Sequence, residues 1–314
     1  MINLVIRRLL AVIPLLFLVT FLAYGMILLI PGDPAIAIAG ENATAEIVEE
    51  TRQRLGLNDP FLVQYGRWVT GAIQGDLGTS LFVDRSVGGA IAERLPVTLA
   101  LTFAALFLAT LIAIPAGILA ALKKGTWIDR LTTVTATMGI AMPNFWLGLL
   151  LVLGFAITIP WFPAIGYVSF TDNPFEWARH IFLPAIALGA AACAEITRQL
   201  RSAVIDVVQQ DFIRTARAKG LRGPSIVIKH TLKNAAVPVV TVLGLQVTRL
   251  LGGAVIIEQV FALPGIGGLA VKAVFDRDVP MILGVIFAAS LIAVLVNLLV
   301  DLSYGWFNPK VRPK

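Results

Sequence analysis

Six separate apolar runs, each long enough to cross a lipid bilayer, constrain this chain more than any other feature. A spanning helix needs about 20 mostly apolar residues, and the runs lie at 9–30, 96–122, 131–159, 181–200, 238–257 and 281–303. The third is long and interrupted near Pro143. Inside hydrocarbon every backbone N–H and C=O must find its partner within the segment, so such runs fold as helices. Composition agrees: 58% of the 314 residues are hydrophobic and 14% charged, where a soluble domain carries about 25% charged residues. The expectation is an all-α integral membrane protein with six transmembrane helices.

Arg7 and Arg8 precede the first run, as in a signal peptide, but the run exceeds the 7–15 residues or so of a cleavable core and no cleavage site closes it. It reads as an anchor. Placing the N-terminus inside puts 16 of the 25 basic residues on the cytoplasmic side and 8 outside, with Arg249 within the fifth run. That asymmetry orients both termini to the cytoplasm, and an even number of spans requires the same. The segments are then an N-terminal segment and first span (1–30), an external region (31–95), a membrane core (96–303) with a cytoplasmic loop (201–237), and a tail (304–314).

A net charge of +6 in a soluble protein would suggest nucleic acid; here it reports orientation, and no nucleic-acid partner is expected. Cys193 is the single cysteine, which rules out an internal disulfide. His180 and His230 stand alone, without metal-ligand spacing. No GxxxxGK[ST] loop is present to cradle ATP phosphates, and no GxSxG nucleophile motif. Energy must come from elsewhere, the chain is not expected to be an enzyme, and no cofactor or metal is expected in it.

Between the first two spans, Thr44 caps a helix that Gly56 ends, and Pro60 opens another that runs toward Gly75. This acidic stretch reads either as a solvated loop or as a small cap on the outer mouth. Phe61, Trp68 and Ile73 on helical spacing favour the cap. In the 201–237 loop, Asp211 is an N-cap candidate, 212–219 make about two helical turns, and Gly220 supplies a C′ stop. A helix this short is marginal alone, so it must pack on this chain or on a partner. A basic loop lying at lipid headgroups is the competing reading; Phe212 and Ile213 favour docking. Pro224 and Ser225 start a second helix toward the fifth span.

This loop resembles the "EAA…G" signature of bacterial binding-protein-dependent ABC importer permeases, with Arg214-Thr215-Ala216 and then Gly220. Thr215-Ala216-Arg217-Ala218-Lys219-Gly220-Leu221 and His230-Thr231-Leu232-Lys233-Asn234-Ala235 are similar to its peptide and nickel branch. Likeness to the B-type peptide permease subunit continues along the chain. It includes Arg7-Arg8-Leu9-Leu10, Pro31-Gly32-Asp33-Pro34, Gln74-Gly75-Asp76-Leu77-Gly78 and Glu93-Arg94-Leu95-Pro96. Pro143-Asn144-Phe145-Trp146-Leu147-Gly148, Phe261-Ala262-Leu263-Pro264-Gly265-Ile266-Gly267, 297–302 and 308–312 follow in order. Two departures stand out: Arg214 where many importers have Glu, and Thr215 where they have Ala. No Glu-mediated contact is therefore implied.

The resemblance implies the type I ABC importer permease fold in a bacterial inner membrane, importing dipeptides or short oligopeptides, or nickel, glutathione or another small solute. It implies that Asp211, Phe212, Ile213, Arg214, Thr215, Ala216, Arg217, Ala218, Lys219 and Gly220 form a coupling helix seated on a separate ATPase. Two ATPase subunits or one fused ATPase would bind ATP and Mg. A second, homologous permease subunit would complete a heterodimer, and an extracytoplasmic solute-binding protein would meet the loop around Phe261 and Pro264. Charges inside spans are costly and often functional. Arg249 is the clearest pathway candidate, Glu195 and Asp301 sit near the cytoplasmic ends of their spans, and Glu258 and Gln259, at the outer end of the fifth, come after them. The structural alternative is an ion pair, with Glu195 and Arg198 bonded locally.

Overall fold

Proline and glycine cut the apolar runs into helices, and the computed structural model, which describes residues 2–28, 33–40, 43–83 and 85–307, shows where. Helix α1 is Ile2–Leu28. Three short helices follow: α2 (Pro34–Ala39), α3 (Ala45–Arg54) and α4 (Phe61–Ile73). Then come α5 (Val87–Leu122), α6 (Trp127–Ala141) and α7 (Asn144–Val152), the last continued by a π-helical turn over Leu153–Thr158. The remainder is α8 (Pro174–Val208), α9 (Asp211–Ala218), α10 (Gly223–Ser225) with a π turn over Ile226–Thr231, α11 (Leu232–Val260), α12 (Ile266–Asp276) and α13 (Val279–Phe307). No β-strand occurs among the described residues; Thr79 and Ser86 form an isolated bridge.

Among the described residues, four stretches are long and apolar enough to cross a membrane: Val87–Leu122, Pro174–Val208, Pro238–Val260 and Val279–Leu299. Where the third span was expected, α6 and the α7 segment are apolar enough only as a pair and meet at a bend of 102°, the geometry of a broken span or of a re-entrant loop. Pro143 follows Met142, whose backbone is forced into the extended region (ψ 127°), as the residue before a proline usually is. The first run gives a shorter apolar stretch, Leu10–Met26; its last two residues, 29–30, lie outside the described residues.

The chain forms two compact units. The first holds Thr98–Leu263 and α13 from Val296. Here α8 is the central helix, touched by α6, α7 and α11. It is mostly Ala, Gly and Leu on its buried faces, which lets neighbouring backbones come close, the usual solution for helices packed in lipid. A Cβ on Gly189 would lie 2.7 Å from the Ala105 carbonyl oxygen, and one on Gly117 2.9 Å from that of Thr197. Asp129 of α6 is buried and accepts both guanidinium bonds of Arg201 on α8, at 2.5 and 2.8 Å, and the Gly125 N–H at 2.9 Å.

The second unit holds Ile2–Val97 and Pro264–Leu295. One cluster sets Val87, Ala90 and Ile91 against Ile266, Leu269, Ala273 and the start of α13. Asp278 caps α13, accepting from the Met281 N–H at 3.3 Å, and also binds Ser80 and the Leu81 N–H. A second cluster gathers Tyr24, Tyr65 and Leu283 with Phe61 and Trp68 around them. Thr44 caps α3 as expected, accepting from Ile47. Ile73, expected on the packed face of α4, is 82% exposed instead; Tyr65 is the residue that face buries. Gly267 and Gly268 lie inside α12.

Candidate functional site

The 201–237 loop builds its short helix around two inward residues. In α9, Ile213 is fully buried and Ala216 nearly so, while Phe212 is 40% exposed. The buried pair seats α9 on this chain itself, and the helix packs against the turn at Ile226–Thr231. Asp211, Arg214, Thr215, Arg217, Ala218 and Lys219 remain exposed. The choice between packing on this chain and offering a surface is thus resolved as one face each. Ile213 and Ala216 are not available to a partner.

Both ends of α9 follow from local chemistry. Asp211 is not the N-cap: Gln210 occupies that position without a side-chain cap bond, and Asp211 is the first helical residue. Its charge there favours the helix dipole, and its carbonyl accepts from the Thr215 hydroxyl at 3.0 Å. The pair with Arg214 is long, 3.5 Å, and solvated, so it adds little. At the other end, the Gly220 N–H reaches Arg217 and the Leu221 N–H reaches Ala216. This is a Schellman closure, and the Gly220 φ of +77° suits glycine. Three residues later Gly223, Pro224 and Ser225 open α10 and lead into α11.

The charged residues of the spans have specific partners. Arg249 Nη1 donates to Glu195 Oε2 at 2.6 Å, and Gln246 Nε2 donates to the same oxygen at 3.1 Å. Glu195 is therefore bonded to α11 rather than locally to Arg198, because Arg249 and Gln246 face it one turn apart. Glu258 is buried within its unit and accepts from Thr98 at 2.6 Å. Gln259 is exposed. The side chain of Asp301 lies outside the described residues.

Phe261 is also interior. It is 2% exposed, sits where a Cβ on Gly148 would meet its ring at 3.2 Å, and its carbonyl accepts from Gly166. Exposed residues of that loop are Ala262, held at φ +51°, and Pro264. Gln246, buried beside Arg249, was not legible from the sequence; its only signal is a polar residue one turn from a charge in an apolar helix. Among the described residues no group of three or more His, Cys, Asp or Glu side chains is placed to hold a metal.

Comparison with known proteins gives a consistent picture. Residues 113–313 match the family model described as binding-protein-dependent transport system inner membrane component, and residues 1–102 match the model for the N-terminal part of such membrane components. A Brucella abortus (strain 2308) protein named for a peptide transport system permease is 41% identical over 309 residues, covering 98% of each chain. The glutathione transport system permease protein GsiC of Escherichia coli (strain K12) is 43% identical over 314 residues, all of both chains. Among solved structures, the MetNI methionine ABC transporter in an inward-facing conformation has a chain matched with a TM-score of 0.59. That match is 18% identical and covers 70% of this chain and 96% of that one, a likeness of fold.

Proposed function

This chain belongs to the binding-protein-dependent transport system inner membrane components, as a multi-pass permease subunit rather than an enzyme, and from that premise we propose that it imports short peptides. The family implies a separate ATPase and a solute-binding protein as partners. Our reading adds that the second permease subunit is a homologue, that the pathway runs between the two, and that both termini face the cytoplasm. In this reading α9 is the coupling helix. One face, Ile213 and Ala216, fixes it to its own chain; the other, with Phe212, Arg214, Thr215 and Lys219, enters a groove of the ATPase. Closure of the ATPase on nucleotide then moves the spans through a rigid connection, a familiar way of transmitting domain motion.

The observation that carries this proposal is the division of α9 into a buried and an exposed face within a unit closed at its C-terminus. Peptide cargo is favoured by the full-length similarity to the peptide-named and glutathione-named permeases. Glutathione is itself a tripeptide, so the two cargoes share free carboxylate and ammonium groups. Nickel is the remaining alternative.

The test is reconstitution with the companion permease, ATPase and binding protein in proteoliposomes. We expect ATP-dependent uptake of di- to tetrapeptides that survives an ionophore. Phe212→Asp is expected to lower cargo-stimulated ATP hydrolysis about tenfold, the scale of a buried aromatic anchor at an interface, with insertion intact. Uptake without the ATPase, or full stimulation in Phe212→Asp, rejects the assignment.

A further inference from the structure

Arg249 stands at the centre of the Pro238–Val260 span, eleven residues from either end, which is about 16 Å of helix in each direction. Its side chain is nevertheless 61% exposed. A guanidinium at that depth is not stable facing lipid tails, and arginines inside spans turn toward water-filled cavities or partners. The structure shows how it is held. Glu195 takes one of its N–H groups, and buried Gln246 holds the same carboxylate oxygen. The other guanidinium N–H groups have no partner among the described residues.

The surroundings point the same way. Arg198, one turn beyond Glu195 on α8, is exposed. Of the three charged side chains, Arg249, Glu195 and Arg198, two are guanidiniums and one is a carboxylate, a net charge of one positive unit. Within the 238–260 part of α11 the exposed residues fall on a single stripe, Leu245, Arg249, Gly252, Ile256 and Gln259, and nothing lies within 4 Å of where a Cβ on Gly252 would stand. The stripe has open space beside its one cation.

We propose that Arg249, oriented by Glu195, binds the free carboxylate of the passing peptide, with Arg198 adding charge alongside. Guanidinium matches carboxylate with two parallel hydrogen bonds, and the Glu195 pair keeps the group aimed while consuming only part of its donor set. The inference rests on the peptide-import reading and deepens it: this site reads the anionic end of the cargo within the membrane. A metal-ion cargo offers no such group.

The experiment compares a tripeptide with its C-terminal amide in the fully reconstituted system. Each is supplied at a concentration that saturates the binding protein, with occupancy checked by that protein's fluorescence. Wild type is expected to carry the free acid about tenfold faster than the amide, the scale of a lost charge-assisted bond. In Arg249→Gln the two rates become alike, and in Arg249→Lys, which retains charge without the planar fork, the ratio is intermediate. Because the ratio is internal to each variant, it does not depend on how much complex assembles. Equal rates in wild type, or an unchanged ratio in Arg249→Gln, overturn the proposal. So does loss of the companion permease subunit on purification of Arg249→Lys, which would make the arginine an interface ion pair. Absence of ATP-dependent uptake of either peptide by wild type instead rejects the importer reading beneath it.

Discussion

In the unit built from Thr98–Leu263, helices meet where side chains are smallest; in the unit built from Ile2–Val97 and Pro264–Leu295, they meet around rings. Gly117, Gly139 and Gly189 admit neighbouring helices to within a distance at which any Cβ would press on the facing residues. In the second unit, Tyr65 contacts the rings of Phe17, Phe21, Tyr24 and Phe61 and stacks on Trp68. Its hydroxyl donates to the Phe17 carbonyl at 3.0 Å. The ring-built unit also has tight glycines, but Gly56, Gly71 and Gly89 meet groups within about eleven residues along the chain, and at Gly284 a Cβ would first meet the Val87 side chain, which can move, rather than the backbone of a facing helix.

The difference teaches where each unit gains its stability. Lipid tails are as apolar as leucine, so helices inside the bilayer gain little by burying large apolar groups and much by close packing. Helix α4, outside the apolar runs, instead packs its rings on Phe17, Phe21 and Tyr24 of α1, using area burial and aromatic geometry.

Substitutions sharpen the contrast. The largest effect is expected from Tyr65→Ala, which removes the centre of the ring cluster and should destabilise by about 4 kcal/mol. It is measured as a fall in the thermal inactivation midpoint of the purified complex. Gly189→Ala adds one methyl group against the Ala105 carbonyl, and overpacking of this kind costs about 2 kcal/mol. If that protein is as heat-resistant as the parent, the small-residue account of the first unit is broken. Gly252→Ala is the control of opposite sign. With no atom near its Cβ position, it should gain up to about 1 kcal/mol from helix propensity.

The smallest effect is a pH dependence in the second unit. Burial tends to raise the Asp33 carboxyl, but hydrogen bonds from Arg52 and the Ala35 N–H outweigh it and hold the group below its ordinary value. A depressed carboxylate contributes stability above the unfolded value of about 3.9, and that contribution disappears as pH falls through the folded value. Asp33→Asn should therefore lower protease resistance of the 33–60 stretch slightly at pH 7, where the ionised carboxylate contributes, and flatten its further fall on acidification. An unaltered acid profile in the variant removes the assignment.

What the sequence made legible was what depends on neighbours. Apolar length located the long helices, Pro143 the bend between α6 and α7, Gly220 the end of α9 and Thr44 the start of α3. What it hid depends on residues far away. Burial of Asp129 requires Arg201, 72 positions on; burial of Glu258 involves Thr98, 160 positions back. Nothing local marks either acid as interior. The inward turn of Ile213 and Ala216 was hidden for the same reason: helical spacing gives a face, but which surface covers it is decided by the turn at 226–231. Asp211 was misplaced by one position, since Asp is common both at the N-cap and in the first turn.

The central claim is that the exposed face of α9 meets an ATPase in the cytoplasm, and site-directed labelling tests it most directly. Cys193 is the single native cysteine, so Thr215→Cys can be placed in a Cys193→Ala background and probed with a membrane-impermeant maleimide. Inside-out vesicles stripped of the ATPase should label and right-side-out cells should not, and adding the ATPase back should protect the thiol. Labelling from the outside, or labelling indifferent to the ATPase, would contradict it.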